Sequence, residues 1–192
     1  MDAQFITSAF RQDQYPPADR PEIAIAGRSN VGKSSLINTL VKRRGLAKTS
    51  SRPGRTQSIN FFLVNGALYL VDLPGYGYAR VPIKVKASWK VMVEAYLNTR
   101  PNLKAVVVIL DIRRDLSAGD KDLLEWLKHH GVPIVLVLTK TDKLSKQKAR
   151  AQAGRMKAVC AMYTPLDPVL FSSKTRQGRD ELWTHITKSI DS

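Results

Sequence analysis

The sequence predicts an α/β domain, a mostly parallel six-stranded sheet with one antiparallel strand and helices on both faces. Three observations predict it. From Glu22 onward, short apolar runs alternate with helical patterns, the order that builds a parallel sheet covered on both sides. Val106-Val107-Val108-Ile109-Leu110 and Ile134-Val135-Leu136-Val137-Leu138 are apolar at every position, as strands buried on both faces are. Ile59-Asn60-Phe61-Phe62-Leu63-Val64 runs into Asn65-Gly66 and a second apolar run, a tight hairpin that sets one strand against the rest.

The strands expected in order are 22–26, 59–64, 68–72, 105–111, 134–139 and 169–172. Helical spacing puts Leu36, Ile37, Leu40 and Val41 on one face, and Val85, Trp89, Met92, Val93 and Tyr96 on another. A third helix carries Leu123, Leu124 and Leu127 between an N-cap at Ser117 and a closing Gly131. The last carries Leu182, Trp183, Ile186 and Ile190. Residues 1–20, with Tyr15-Pro16-Pro17 and no sustained period, read as an irregular arm, and residues 21–192 as one domain.

The chain has 192 residues, 43% of them apolar, enough for one domain with a substantial core. One cysteine, Cys160, excludes an internal disulfide framework and a Cys-rich metal cluster. His129, His130 and His185 are too scattered for a metal site. No apolar run approaches the roughly 18 residues of a membrane span, and the start lacks the basic-then-apolar order of a secretory signal. A cytoplasmic location and a monomer are the expectations. Lys and Arg total 31 against 16 Asp and Glu, a net charge of +15, which favours a polyanionic partner.

Gly27-Arg28-Ser29-Asn30-Val31-Gly32-Lys33-Ser34 fits G-x-x-x-x-G-K-[ST], directly after a strand and opening a helix. Glycines let successive N–H groups turn inward onto phosphate oxygens, and the helix N-terminus adds its dipole. Lys33 would reach the β- and γ-phosphates, and the Ser34 hydroxyl would ligate Mg²⁺. Asp72-Leu73-Pro74-Gly75 follows the hairpin. There Asp72 could hold Mg²⁺ through a water and Gly75 could offer its N–H to the γ-phosphate. Between the two lies Ser51-Arg52-Pro53-Gly54-Arg55-Thr56-Gln57-Ser58. Thr56 is a candidate second hydroxyl ligand, although threonine is common in loops. Thr139-Lys140-Thr141-Asp142 ends a buried strand. A carboxylate there can accept from guanine's N1–H and exocyclic amine, a donor pair adenine lacks, and the Lys140 stem can lie over the ring. Phe171-Ser172-Ser173-Lys174 ends the last strand, where a backbone N–H near Ser173 could meet guanine O6.

In this order, the segments resemble the five nucleotide-contact motifs of translation-factor-related GTPases. The closer resemblance is to the EngB (YihA/YsxC) family of bacterial ribosome-assembly GTPases. It rests on Gly27 to Ser34 with Ser35-Leu36-Ile37-Asn38, on Pro53-Gly54-Arg55-Thr56, on Asn60-Phe61-Phe62 and on Asp72-Leu73-Pro74-Gly75-Tyr76-Gly77-Tyr78-Ala79. Ser173 is a small departure, since alanine is more usual there. The resemblance implies a Ras-like P-loop GTPase domain and Mg²⁺-dependent GTP hydrolysis. It also implies association with the large ribosomal subunit during assembly, and a requirement in normal cell division and septation. Nucleotide contacts would come from residues 27–35, 54–58, 72–75, 139–142 and 171–173, with Lys33, Thr56 and Gly75 closest to the reaction.

Many related enzymes place glutamine after Asp-x-x-Gly to orient water, but this chain has Tyr76 there. No His, Asp or Glu occurs between Gly75 and Lys90, so intrinsic hydrolysis is expected at about 10⁻⁴ to 10⁻² s⁻¹. In related GTPases an asparagine at the Asn30 slot helps hold K⁺ between the phosphates; alternatively Asn30 only braces the loop. Eight cations and no carboxylate lie between Ile23 and Val71, among them Lys42, Arg43, Arg44, Lys48, Arg52 and Arg55. Arg80, Lys84, Lys86 and Lys90 form a second cluster, and Lys143, Lys146, Lys148, Arg150, Arg155 and Lys157 a third. The first two flank the loops that would sense γ-phosphate, and are expected to present ribosomal RNA contacts in the GTP state. A P-loop ATPase or kinase, and an RNA-binding factor that keeps nucleotide only for folding, remain alternatives.

Overall fold

The computed structural model describes residues 1–47, 58–77 and 83–191, with side chains for all of these but 83–89. Strands are β1 (Ala3–Ala9), β2 (Glu22–Gly27), β3 (Ile59–Val64), β4 (Leu68–Asp72), β5 (Leu103–Asp111), β6 (Ile134–Thr139) and β7 (Val169–Leu170). Helices are α1 (Lys33–Leu40), α2 (Ile83–Thr99), α3 (Ala118–His129), α4 (Lys146–Cys160) and α5 (Arg179–Asp191).

The sheet order is β1-β3-β4-β2-β5-β6-β7. Only β3 opposes the others, pairing antiparallel with β1 and β4 while the remaining pairs are parallel. One antiparallel strand is thus as expected, but the sheet has seven strands rather than six. The added strand is β1, inside the stretch read as an irregular arm. Only Ala3 and Ala9 of β1 are buried, so an edge strand with one small-residue face leaves almost no period to read. It covers β3, and the exposed Phe5 meets Phe62 edge-on at 5.8 Å. The hairpin turns at Asn65 and Gly66 with φ of 50° and 64°, the positive pair a type I′ turn requires.

The expected strand 169–172 stops at Leu170. Phe171 still donates its N–H to Leu138 O at 2.8 Å, but Ser172 turns its own N–H to Gln177 O at 3.2 Å. Two cores sandwich the sheet. Leu36, Ile37, Leu40, Leu182 and Ile186 fill one with α1 and α5. Val93, Tyr96, Leu124, Leu127, Met156 and Cys160 fill the other with α2, α3 and α4. Val85 and Trp89 of the expected α2 face lie outside the described side chains.

A buried polar clasp ties residues 15–22 to the end of α2. Glu22 is fully buried, pairs with the Arg100 guanidinium, and accepts from the Tyr96 hydroxyl at 2.7 Å. Arg100 also donates to Pro16 O at 3.1 Å and stands 5.6 Å from the centre of the Tyr15 ring.

Candidate functional site

Register places the carboxyl ends of four parallel strands side by side. Ile25 pairs with Asp72, Gly27 with Ile109, and Asp111 with Thr139. The chain proceeds from β4 on one side of β2 to β5 on the other, and the carboxyl edge at such a reversal is where open α/β sheets bind ligands.

After β2 the chain makes a tight loop into α1. Gly32 caps the helix at φ 107°, a conformation side chains resist, and no side chain caps the first turn. The first-turn N–H groups, which lack intrahelical acceptors, therefore face the concavity of the loop. Lys33 opens the helix and forms an ion pair with Asp72, both side chains largely buried. Ser34 is partly buried one residue on, and Ser35 is exposed.

The Asp72-Leu73-Pro74-Gly75 segment leans against the phosphate loop. Ser29 N donates to Tyr76 O at 2.9 Å, and its hydroxyl lies 3.2 Å from Tyr76 O and 3.3 Å from Gly75 O. A Cβ on Gly75 would stand 3.2 Å from Ser29 N and Oγ, so glycine allows this close approach. A displacement at Gly75 is therefore felt at Ser29. Tyr76 itself turns away toward α3. Its ring is buried and its hydroxyl donates to Asp120 at 2.7 Å. Burial, then the Asp120 carboxylate, push this phenol far above its ordinary pKa. Asp120 is itself held by Ser117, which donates its N–H at 2.7 Å and its hydroxyl at 2.6 Å.

At the opposite end, Asp142 holds a largely buried carboxylate at the edge, its side chain 14% exposed, and Ser172, fully buried, donates to it at 2.8 Å. Lys143 is 3.9 Å from its other oxygen. Ser173 follows, partly buried, and Phe171 is core. Lys140 donates to Asn30 O at 2.8 Å and pairs with Asp111 at 3.0 Å. The ammonium thus anchors the phosphate loop and frees the aliphatic stem as a platform. Thr139 and Thr141 are braces. The Thr139 hydroxyl lies 2.7 Å from Val31 O and 3.1 Å from Leu110 O, and the Thr141 hydroxyl lies 3.2 Å from Phe171 O. Asn30 is exposed at φ 63°.

Sequence reasoning missed two members of this network, Asp111 and Asp120. Burial raises the Asp111 pKa, but hydrogen bonds from Arg113 and Lys140 outweigh it and hold the carboxyl below its usual range. Its place at the carboxyl end of β5 was a usable signal. So was the position of Asp120, three residues after the N-cap Ser117. A cavity of about 270 Å³ opens on the α3 flank of the phosphate loop, lined by Arg28, Asn30, Asp111, Arg114, Asp120 and Lys140. It shares Arg28, Ser29, Asn30, Val31 and Lys140 with the expected nucleotide contacts, while Lys33, Ser34, Asp72 and Asp142 do not border it.

Of the other expected site residues, Gly27, Arg28 and Val31 take their places in the loop, and Leu73 donates its N–H to Ile25 O at 3.0 Å beside Pro74. Ser58 donates to Asn60 at 3.0 Å, and Asn60 is the cross-strand partner of Asp72. Gly54, Arg55, Thr56, Gln57, Lys48, Arg52 and Arg80 lie outside the described residues, as do the side chains of Lys84 and Lys86. Lys42, Arg43 and Arg44 are exposed beyond α1, Arg43 within 3.3 Å of Asp2.

Residues 22–140 match a family model described as 50S ribosome-binding GTPase. The chain is 53% identical over 184 residues to a probable GTP-binding protein EngB from Geobacter metallireducens, covering 96% of this chain and 90% of that one. Among solved structures, a probable GTP-binding protein EngB superposes with a TM-score of 0.72 at 22% identity, covering 88% of this chain and 98% of that one. A structure of Era in complex with MgGDPNP and nucleotides 1506–1542 of 16S ribosomal RNA gives a TM-score of 0.66 at 20% identity, covering 88% of this chain and 56% of Era. At these identities the structural likeness is one of fold.

Proposed function

This chain belongs to the EngB family of GTP-binding proteins, P-loop GTPases, and we propose that it is a GTP/GDP switch in assembly of the large ribosomal subunit. In this reading it works in the cytoplasm as a monomer and is needed for normal cell division and septation. The observation that carries it is the two-ended seat on the sheet edge. The Lys33–Asp72 pair stands at the phosphate end, and Asp142, fixed by buried Ser172, at the base end. The family description, the ribosomal RNA in the Era complex and the net charge of +15 support a ribosomal partner.

Lys33 neutralises the β- and γ-phosphates, and the first-turn N–H groups of α1 hold their oxygens. The hard oxygen donors Ser34 and Asp72 suit Mg²⁺, which takes few protein ligands and the rest from phosphate and water. When bound, that ion offsets charge on the phosphate oxygens. Gly75 offers its N–H to the γ-phosphate, and Thr56 would join Ser34 and Asp72 in holding the metal in the GTP state. The Tyr76 hydroxyl is committed to Asp120, so no side chain at that slot orients water and intrinsic turnover is slow. Asn30 would contribute its side-chain carbonyl to K⁺, which would supply stabilisation of the developing charge.

GTP ordering at Gly75 passes to Ser29 and the surrounding basic segments, which then present cations to ribosomal RNA. The experiment is recovery of large ribosomal subunits on the tagged protein with a GTP analogue, GDP or no nucleotide across a salt series. Recovery greatest with the analogue and falling steeply with salt is expected. Equal recovery in all three states overturns the switch.

A further inference from the structure

The third basic cluster is not explained by the nucleotide seat, and it occupies one helix. α4 carries five cations, Lys146, Lys148, Arg150, Arg155 and Lys157, and no carboxylate. Its neighbours are mixed: α3 holds Asp120, Asp122 and Glu125 with Lys121 and Lys128, and α5 holds Asp180, Glu181 and Asp191 with Arg179 and Lys188. Four residues of α4, Ala149, Gln152, Met156 and Cys160, face the sheet. At 3.6 residues per turn the exposed remainder, apart from Val159 in the last turn, sorts into three lines. Lys146, Arg150 and Lys157 form one flank, Lys148 and Arg155 the other, and Gln147, Ala151, Gly154 and Ala158 the outward ridge between them. All nine are exposed.

The cations are available. Lys146, Lys148 and Arg150 have no carboxylate within 4.0 Å among the described residues. Lys157 pairs only with Asp167, itself 71% exposed, and Arg155 bonds the neutral Gln152. An exposed pair of this kind is weak and exchanges readily for a phosphate. The ridge adds an independent point. Gly154 sits mid-helix with nothing within 4 Å of where its Cβ would be. Glycine there costs helix stability, and packing among the described residues gives no reason for it.

The geometry points to double-stranded RNA as the occupant of this face: the low ridge lies on the wide, shallow minor groove while each cationic flank contacts the phosphates of one strand. A-form RNA is recognised through that groove by shape, 2′-hydroxyl and phosphate contacts. Of the ridge residues Gln147 alone is of a type that reads base edges in a DNA major groove, while Ala151, Gly154 and Ala158 carry no hydrogen-bonding side chain. A membrane surface calls for large apolar residues along the helix. The exposed Val159, Met162 and Leu166 lie instead past the cationic lines, at the C-terminal end. The Lys146–Lys157 row spans about 16 Å along the axis and the Lys148–Arg155 row about 10 Å, lengths suited to several phosphates. The class of partner rests on the ribosomal reading above, but this contact is constant, independent of the bound nucleotide.

The test measures binding of the full chain, in its GDP and GTP-analogue forms, to an RNA duplex of about 16 base pairs and to a DNA duplex of the same sequence, across a salt series. The variants are Lys146→Ala/Arg150→Ala/Lys157→Ala, Lys148→Ala/Arg155→Ala, and Gly154→Gln. Each row variant is expected to bind RNA at least roughly tenfold more weakly, to the same extent in both nucleotide forms, with the salt slope reduced by about 0.9 for each phosphate no longer neutralised. Gly154→Gln is expected to melt no lower than the parent, yet bind RNA several-fold more weakly. Nucleotide affinity stays unchanged in all three. Parental RNA affinity in either row variant or in Gly154→Gln overturns the assignment, as does DNA bound as tightly as RNA. Nucleotide-independent ribosome recovery by the parent protein instead overturns the switch and leaves this face standing.

Discussion

Tyr76→Phe removes one hydroxyl and leaves the ring. That hydroxyl donates to Oδ1 of Asp120 at 2.7 Å, and Asp120 is 2% exposed. Oδ2 keeps both Ser117 bonds, so the variant leaves one carboxylate oxygen short of a donor where water has little access. A hydrogen bond to a charged partner contributes about 1.5–3 kcal/mol, and a domain of this size loses about 2–4 °C of Tm per kcal/mol. The expected fall is therefore roughly 3–12 °C by thermal denaturation. It is constant between about pH 6 and 9, because the buried phenol stays protonated well above its ordinary pKa. Combined with Asp120→Asn in a double-mutant cycle, the loss is expected to be markedly less than additive. Single-turnover GTP hydrolysis is expected to stay within about twofold of the parent, since the hydroxyl points away from the seat. An unchanged Tm, or additive losses, refutes the structural reasoning. A hydrolysis rate reduced more than about tenfold refutes the catalytic reasoning, because it gives the hydroxyl a part in the reaction.

Three further outcomes follow from the same structure. Arg100→Met strands the buried Glu22 carboxylate and is expected to destabilise by about 3–5 kcal/mol in urea unfolding; a loss below about 1 kcal/mol contradicts the clasp. Asp111→Asn removes a carboxylate whose folded pKa is depressed. Its stabilising part is therefore fully present above about pH 4 and lost as pH falls further, so parent and variant melting curves are expected to converge only in acid. Replacing KCl by NaCl at equal ionic strength is expected to slow hydrolysis, and equal rates contradict the Asn30 site.

Much of the fold was legible because its strands are buried on both faces. β2, β5 and β6 carry unbroken apolar runs that only a covered parallel sheet accommodates. β1 was not legible, since its burial touches only Ala3 and Ala9 and its pairing is supplied by β3. At Lys33, Asp72 and Asp142 a motif fixes both residue type and spacing, and the fold pairs Lys33 with Asp72 and sets Asp142 on the same sheet edge. The couplings among the motifs were not legible. Ser29 to Tyr76, Lys140 to Asn30 and Asp111, and Tyr76 to Asp120 join residues 29 to 110 positions apart, and local pattern carries no record of such partners. Glu22 is a sharper case, because a charged residue beginning a strand looks exposed until Arg100 and Tyr96 close over it.

Calorimetric titration of the purified chain with GDP, GTP and ATP in the presence of Mg²⁺, repeated on Asp142→Ala, addresses the seat most directly. Saturable binding of GDP and GTP at one site, little heat from ATP, and affinity for GDP roughly 100-fold or more weaker in Asp142→Ala are the predicted results, since two charge-assisted hydrogen bonds to the base disappear. ATP taken up as tightly as GTP, or an Asp142→Ala protein that still prefers guanine, would contradict the account.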